Sequence, residues 1–364
     1  MAAYRSFRDF DWPLLIVVLV ICSLGVLQIY SATLETKWNT AWWKQMLYIA
    51  IGLAIMYAVT RIDYHTILGQ VPILYGLGLF LLIITLAIGT RVFGSKRWIP
   101  LLGSFHFQVS EFFKLVIVLL VARYLAERKT DHLDWRDLVK LTALVGLPMA
   151  LVYLQPDLGT SLTYIPVLAI GVFLGGIRWQ HVVAIIVVLA LLLPVGWFLI
   201  LKDYQKGRIE TFLNPGRDPR GAGYQVIQSK IAIGAGGPWG KGVTNGSQTQ
   251  LRFLPVPHCD FIVSAFAEEH GFVGVLVLLG LYFLLLMQVV QNAQTAPDRA
   301  GMYICMGIGA CLLFHLLVNA GMAVGRMPVA GIPLPLMSAG GSNMLSVFLM
   351  LGLVNNIRLR RFVS

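Results

Sequence analysis

The stretch VPILYGLGLFLLIITLAIGT, residues 71–90, decides the fold class, because it contains no charged side chain. Residues 14–27 and 141–155 are also uncharged. A run of about 20 apolar residues is long enough to cross the hydrocarbon core of a bilayer as a helix. The apolar residues form continuous runs, unlike the short alternating segments of a membrane β-barrel. The sequence therefore predicts an all-α integral membrane protein.

Runs of this kind predict about ten transmembrane helices in one polytopic domain, residues 1–364. The predicted spans are 13–33, 44–60, 71–90, 110–127, 138–154, 158–176, 180–200, 261–290, 300–324 and 334–357. A long polar loop, residues 201–259, separates the seventh span from the eighth, and loops of this length are usually functional or disordered. Its amphipathic stretch at 224–233 predicts a short helix lying on the membrane surface.

The composition argues against several functional classes. Only 12% of the residues are charged, about half the usual fraction in soluble proteins. The net charge is +11, but the basic residues lie between apolar runs, so we expect no nucleic acid partner. The four cysteines form no CxxC pair, which argues against a disulfide framework or a zinc site.

Basic residues also predict the orientation in the membrane. An even number of spans places both termini on one side. Arginine and lysine concentrate in the terminal segments and the even-numbered loops, and such loops are cytoplasmic by the positive-inside rule. We therefore predict cytoplasmic termini and place the loop at 201–259 on the outer face.

Ionisable residues at the ends of spans are functional candidates, because they are costly in a membrane. Glu111 and Lys114 have the i, i+3 spacing that allows pairing on one helix face. They predict either a structural ion pair or the polar wall of a substrate cavity, and the two are compatible. Asp157, in the turn before the sixth span, is either a helix N-cap or a carboxylate at the mouth of an outer cavity.

Two further acids lie around the start of the eighth span. Asp260 fits a helix cap or a general base acting on a hydroxyl at the membrane boundary, and spacing alone favours neither. Glu268 would share the face of Asp260 if both lay on one helix. The alternative for Glu268 is structural pairing with a basic residue.

Several motifs in order along nearly the whole chain resemble the SEDS family (shape, elongation, division, sporulation). They are Lys96-Arg97-Trp98-Ile99, Gln108-Val109-Ser110-Glu111 with Lys114, Gln155-Pro156-Asp157-Leu158-Gly159-Thr160, Gly223-Tyr224-Gln225, Gly234-Ala235-Gly236-Gly237 with Gly240-Lys241-Gly242, His258-Cys259-Asp260-Phe261-Ile262, Ala267-Glu268-Glu269, and Pro333-Leu334-Pro335 followed by Ser338-Ala339-Gly340-Gly341-Ser342. The family more often has Glu and Thr where this chain has Val256 and Cys259.

The resemblance implies a ten-span peptidoglycan glycosyltransferase of the bacterial cytoplasmic (inner) membrane. Its substrate would be lipid II, a disaccharide-pentapeptide on undecaprenyl pyrophosphate. The essential aspartate of the family falls on Asp260, which we interpret as the general base. Substrate-binding residues carried over or inferred with it are Glu111, Lys114, Asp157, Arg97, Trp98, Arg208, Glu268 and Ser338.

The same resemblance implies the cofactor and the partners. Lys114, Arg97, Arg208 or a divalent cation, Mg or Mn, would stabilise the departing pyrophosphate, and no organic cofactor is expected. The family works with a class B penicillin-binding protein, a transpeptidase, and the elongation branch acts within the elongation complex. Short termini and the sequence from Gly325 to Pro335 favour that branch over the division homologue. The competing hypotheses are a flippase for lipid II and a scaffold without chemistry.

Overall fold

A computed structural model describes residues 10–92, 95–100, 106–128, 130, 132–201, 203–214, 216 and 221–361. The helices of this part are α1 Trp12–Thr33, α2 Ala41–Arg61, α3 Tyr64–Gly69, α4 Val71–Ile88, α5 Val109–Ala126, α6 Trp135–Leu154, α7 Leu158–Leu162, α8 Tyr164–Leu174, α9 Trp179–Val195, α10 Asp203–Leu213, α11 Ala222–Gly236, α12 Ser247–Gln250, α13 Ile262–Gln294, α14 Arg299–Ala323 and α15 Gly341–Arg360. A π-helical turn, Gly196–Ile200, extends α9.

The predicted all-α membrane fold is confirmed. Within the described residues, seven helices are long and apolar enough to cross a membrane, namely α1, α2, α4, α6, α9 with its π turn, α13 and α14. The other three predicted spans coincide with α5, α7 with α8, and α15. Helices α5 and α15 carry more charged and amide side chains, and α7 with α8 is shorter. The chain is therefore a multi-pass membrane protein.

Two predicted spans differ from the structure. The tenth predicted span becomes helical at Gly341 and not at residue 334. Leu336, between these positions, has a φ of 67°, which a right-handed helix does not accommodate. The eighth span, predicted as a continuous helix over 261–290, contains a break at Gly271, where φ is 68° and ψ is −168°. Only glycine adopts this backbone conformation readily.

A small antiparallel sheet, absent from the sequence prediction, precedes α5. Strand β1 is Thr90–Val92, β2 is Ser95–Pro100 and β3 is His106–Phe107, in the order β1-β2-β3. Ile99 of β2 is paired with Phe107 of β3. The sheet carries Arg97 and Trp98 to the end of the bundle where α5 begins.

The described part of the long loop at 201–259 contains three helices, α10 to α12. Helix α11 covers the stretch predicted as an amphipathic surface helix, but it is packed into the protein. Its residues Val226, Ser229 and Ala232 are buried, and Ser229 hydrogen-bonds to Ser264 of α13 at 2.6 Å. The helix prediction is confirmed, and one face of the helix packs on α13; its position at the membrane surface stays a prediction.

Candidate functional site

Three successive carbonyl groups fix the position of Asp260. The backbone oxygens of residues 258–260 accept hydrogen bonds from Ala339 N at 3.0 Å, Ser338 Oγ at 2.7 Å and Asn319 Nδ2 at 3.1 Å, respectively. The first two donors belong to the segment before α15, and Asn319 lies on α14. Asp260 is therefore held by two separate elements just before α13 begins.

Burial makes a negative charge on the Asp260 carboxyl group costly. Helix α13 starts two residues later, and Phe261 occupies its N-cap position, so the predicted helix cap at Asp260 is not formed. The residue remains partly exposed. Burial raises its pKa, whereas a hydrogen bond from Cys259 and the positive charges of Arg97 and Arg208 act in the opposite direction.

Asp157 takes the first of the two roles that the sequence left open, the helix N-cap, and its side chain is buried. Its Oδ1 accepts a hydrogen bond from Thr160 N at 3.2 Å and caps α7. The same carboxylate forms an ion pair with Arg97 Nη1 at 3.0 Å and accepts from Gln108 Nε2 at 2.9 Å. The residue that caps α7 therefore also holds the Arg97 guanidinium group, whose positive charge acts on the pKa of Asp260.

Arg97 and Trp98 retain unused hydrogen-bonding capacity. The Arg97 guanidinium lies 5.9 Å from the Trp98 ring centroid. Arg97 Nε and Trp98 Nε1 are buried, and neither finds a hydrogen-bond partner in the described part of the chain. Buried donors normally have partners, so these two are suited to an acceptor-rich ligand.

The predicted pair on α5 is present and is completely enclosed. Lys114 Nζ lies 2.8 Å from Glu111 Oε2, and the two side chains are 0% and 4% exposed. Glu111 Oε2 also accepts from Asn343 Nδ2 of α15 at 2.8 Å, and Lys114 Nζ lies 3.1 Å from His315 Nε2 of α14. The pair therefore joins three helices.

Arg208 lies on α10, in the long loop, and its positive charge acts on the Asp260 carboxyl group. It lines a crevice between α10, α11 and the segment before α15, together with Thr211, Phe212, Val226, Pro328 and Val329. The structure thus brings Arg97, Asp157 and Arg208 around one end of the bundle with Asp260.

Glu268 and Ser338, also predicted as substrate contacts, are engaged with the protein itself. The Glu268 carboxylate accepts from Gln248 N at 2.8 Å, from Thr249 N at 3.0 Å and from Thr249 Oγ1 at 2.9 Å, and it lies 3.2 Å from Lys241 Nζ. This arrangement fits the structural pairing that the sequence left open. The Ser338 hydroxyl bridges Leu334 N and Cys259 O.

The loop glycines serve the break in α13. Around Gly271, the N–H groups of residues 272–273 bond to the carbonyls of residues 237–238, and the carbonyls of residues 268–269 accept from residues 241–242. A Cβ atom at Gly240 would lie 2.2 Å from the Glu269 carbonyl oxygen. The glycines allow two backbones to meet, which is a structural use that the sequence did not reveal.

Sequence reasoning did not select His315, Asn319 and Asn343 as site residues. All three are buried and lie on α14 or α15. Polar side chains within a membrane helix are a usable signal, and His315 and Asn319 also have the i, i+4 spacing of one helix face. No group of three or more His, Cys, Asp and Glu side chains suited to a metal ion occurs among the described residues.

Comparison with known proteins now identifies the family. The model of the cell cycle protein family that comprises FtsW, RodA and SpoVE matches residues 11–361. The chain belongs to this family. This is the SEDS family that the motifs predicted, and the match covers every site residue described above.

Individual relatives share nearly their full length with the chain. It is 38% identical to the peptidoglycan glycosyltransferase MrdB of Escherichia coli K12, over 96% of this chain and 94% of that protein. It is 32% identical to the peptidoglycan glycosyltransferase RodA of Treponema pallidum, over 98% and 99%. A probable peptidoglycan glycosyltransferase FtsW of Trichlorobacter lovleyi is 34% identical over 97% and 94%.

Solved structures support the same assignment. A chain from a peptidoglycan synthase complex that coordinates polymerization and crosslinking matches with a TM-score of 0.85 and 34% identity, over 98% of this chain and 99% of that chain. The rod shape determining protein RodA of Thermus thermophilus matches with a TM-score of 0.73 and 29% identity, over 98% and 99%.

Proposed function

We propose that this chain is a peptidoglycan glycosyltransferase of the elongation branch, which polymerises lipid II with Asp260 as the general base. The activity is that of the curated relatives MrdB and RodA. The observations that carry the assignment of Asp260 are its backbone tether and its setting: Asn319 holds its carbonyl group, the residue is partly exposed, and the positive charges of two arginines act on its carboxyl group. A positioned carboxylate of this kind is suited to accept a proton from a sugar hydroxyl.

In the proposed reaction, Asp260 takes the proton from the 4-hydroxyl of one lipid II. The freed oxygen attacks the anomeric carbon of the other substrate, and the bond from that carbon to the pyrophosphate oxygen breaks. Attack opposite the leaving group inverts the anomeric centre, so an α-linked donor gives a β-linked glycan. The leaving group departs with the electron pair and needs positive charge and hydrogen-bond donors.

Arg97, Trp98 and Arg208 are the groups that we assign to the pyrophosphate. Arg97 Nε and Trp98 Nε1, which find no hydrogen-bond partner among the described residues, support this assignment, as does the charge of Arg208 acting on Asp260. Lys114 is buried with Glu111, so we assign it to the wall behind the reacting groups.

A divalent cation, Mg or Mn, would be held by Asp260 together with the substrate phosphates. Mg²⁺ is commonly bound by one or two carboxylates plus phosphate oxygens, and Asp260 is the carboxylate that would take part. When bound, such an ion would stabilise the negative charge that develops on the pyrophosphate.

The proposal includes a location and a partner. We place the protein in the bacterial inner membrane, with both termini cytoplasmic and Asp260 on the outer face, as the positive-inside rule predicts. We also propose a class B penicillin-binding protein as partner, within an elongation complex. Support comes from the matched chain of a synthase complex that couples polymerization to crosslinking.

Polymerisation of labelled lipid II by the purified protein with its cognate transpeptidase tests the function. Wild type and Asp260→Ala are compared with and without a divalent cation. Glycan chains from wild type alone are the expected result. Normal polymerisation by Asp260→Ala would disprove the base assignment, and no polymer from an intact wild-type complex would favour lipid II flipping or a scaffold.

A further inference from the structure

His315 occupies a junction in the buried network behind Asp260. Its Nε2 lies 3.1 Å from Lys114 Nζ, and its Nδ1 lies 2.9 Å from the Pro333 carbonyl oxygen. The His315 residue is 2% exposed and Lys114 is 0% exposed. Only a neutral imidazole with its proton on Nδ1 satisfies both contacts, because the ammonium group requires an acceptor and the carbonyl requires a donor.

The Pro333 contact leads directly to the base. The next residue, Leu334, donates its N–H to Ser338 Oγ at 2.9 Å, and that hydroxyl donates to the Cys259 carbonyl beside Asp260 at 2.7 Å. One continuous path of hydrogen bonds and covalent bonds therefore joins Lys114 to Asp260. His315 is the link in this path between α5 and the segment before α15.

We propose that His315 is a positioning residue for glycosyl transfer: it fixes the Lys114 ammonium group relative to Asp260 and does not contact the substrate. The inference rests on the proposed function. A lysine ammonium is a point charge on a flexible stem, so its direction depends on its partners. Glu111 neutralises the charge of Lys114, and His315 sets its direction.

Three variants separate the two contacts of His315. His315→Gln places an amide near the position of Nε2 and keeps an acceptor for Lys114. His315→Asn places an amide near the position of Nδ1 and keeps a donor for Pro333. His315→Leu keeps neither. Each is purified with the transpeptidase, and kcat and KM are measured for lipid II polymerisation, together with Tm.

We expect His315→Leu to lower kcat about tenfold or more, the effect of losing a hydrogen bond to a charged group, with little change in KM. His315→Gln should recover most of kcat, and His315→Asn should recover little. Equal losses of kcat in the Gln and Leu variants would overturn the proposal. So would recovery by Asn alone, or wild-type kcat in His315→Leu.

A double-mutant cycle on Tm tests the Lys114 contact without using activity. The variants are His315→Leu, Lys114→Met and the two together. If His315 acts through Lys114, the Tm losses are not additive, and additive losses would overturn the proposal. A wild-type protein without polymerase activity would instead disprove the proposed function, and the cycle would still test the contact.

Discussion

Asp260 and Glu268 are two carboxylates eight positions apart that are treated in opposite ways by the fold. Glu268 is fully buried and accepts hydrogen bonds from two backbone N–H groups and a hydroxyl, with Lys241 as its ion-pair partner. Asp260 is partly exposed, and among the described residues its carboxylate is supported by Cys259 and by the more distant charges of Arg97 and Arg208.

The difference indicates a structural role for Glu268 and a chemical role for Asp260. Several protein donors stabilise the charged form of a carboxylate, and their hydrogen bonds join the structural elements that carry them. The Glu268 contacts attach α12 and Lys241 to α13, next to the break at Gly271. A carboxylate with few donors keeps lone pairs for a substrate proton, at a cost in stability. We therefore expect Asp260 variants to lose activity and Glu268 variants to lose stability.

The largest expected effect is the loss of polymerase activity in Asp260→Asn. Removing a general base typically costs about 10²–10⁴-fold in rate. Because burial raises the pKa of Asp260, its ionised form destabilises the folded protein at neutral pH. Asn removes that charge, so Tm should stay equal to wild type or rise. A lower Tm together with the lost activity would place Asp260 in the same structural class as Glu268.

Glu268→Gln is expected to show the opposite pattern. Gln keeps the shape but loses the charge, and its amide NH₂ group would face backbone N–H donors. We expect a loss of about 1–3 kcal/mol in the free energy of unfolding, measured as Tm in detergent, with activity per folded molecule near wild type. Glu127→Gln is the control, because Glu127 pairs with Arg123 at an exposed i, i+4 site worth about 0.3–0.5 kcal/mol. Equal effects of the two variants would contradict the role of Glu268.

The sequence predicted the helices well because a membrane imposes length and apolarity on each span separately. The break at Gly271 was not predictable from α13 alone, since residues 237–242 supply its backbone partners. The Glu111 and Lys114 pair follows from spacing within one helix. The contacts of Lys114 with His315, and of Glu268 with Lys241, depend on how distant segments meet.

The ion pair between Asp157 and Arg97 provides a smaller effect. Asp157→Asn should keep the cap of α7, because Asn is as good an N-cap as Asp, but it loses the charge that orients Arg97. Losing a hydrogen bond to a charged group costs about 1.5–3 kcal/mol. We expect polymerisation to fall about 10- to 100-fold and Tm to fall as well, because Arg97 keeps its charge without its buried partner.

Asp157→Ala is the matched variant, because it removes the cap as well as the charge. It should lower Tm further than Asp157→Asn does, by the contribution of the cap, which is about 1 kcal/mol. Wild-type polymerisation by Asp157→Asn would show that Arg97 does not need the negative charge of Asp157 for its role in the reaction. Asp260 would then be the one carboxylate of this comparison with a role in activity.

The smallest effect is a shift in the pH dependence caused by Arg208→Gln. Polymerisation requires ionised Asp260, so activity falls as the pH falls through its pKa. Burial raises that pKa, and the positive charge of Arg208 opposes the rise. Removing the charge therefore moves the acid limb of the kcat/KM profile to higher pH, by less than about one unit for a partly solvated pair.

Arg252→Gln is the control, because Arg252 donates to the Glu35 carbonyl and is not among the charges that act on Asp260. If the acid limb stays in place in Arg208→Gln, or moves equally in both variants, Arg208 does not affect the pKa of the base. A shift confined to Arg208→Gln would assign the acid limb to Asp260 and not to Glu268, because Glu268 is paired with Lys241.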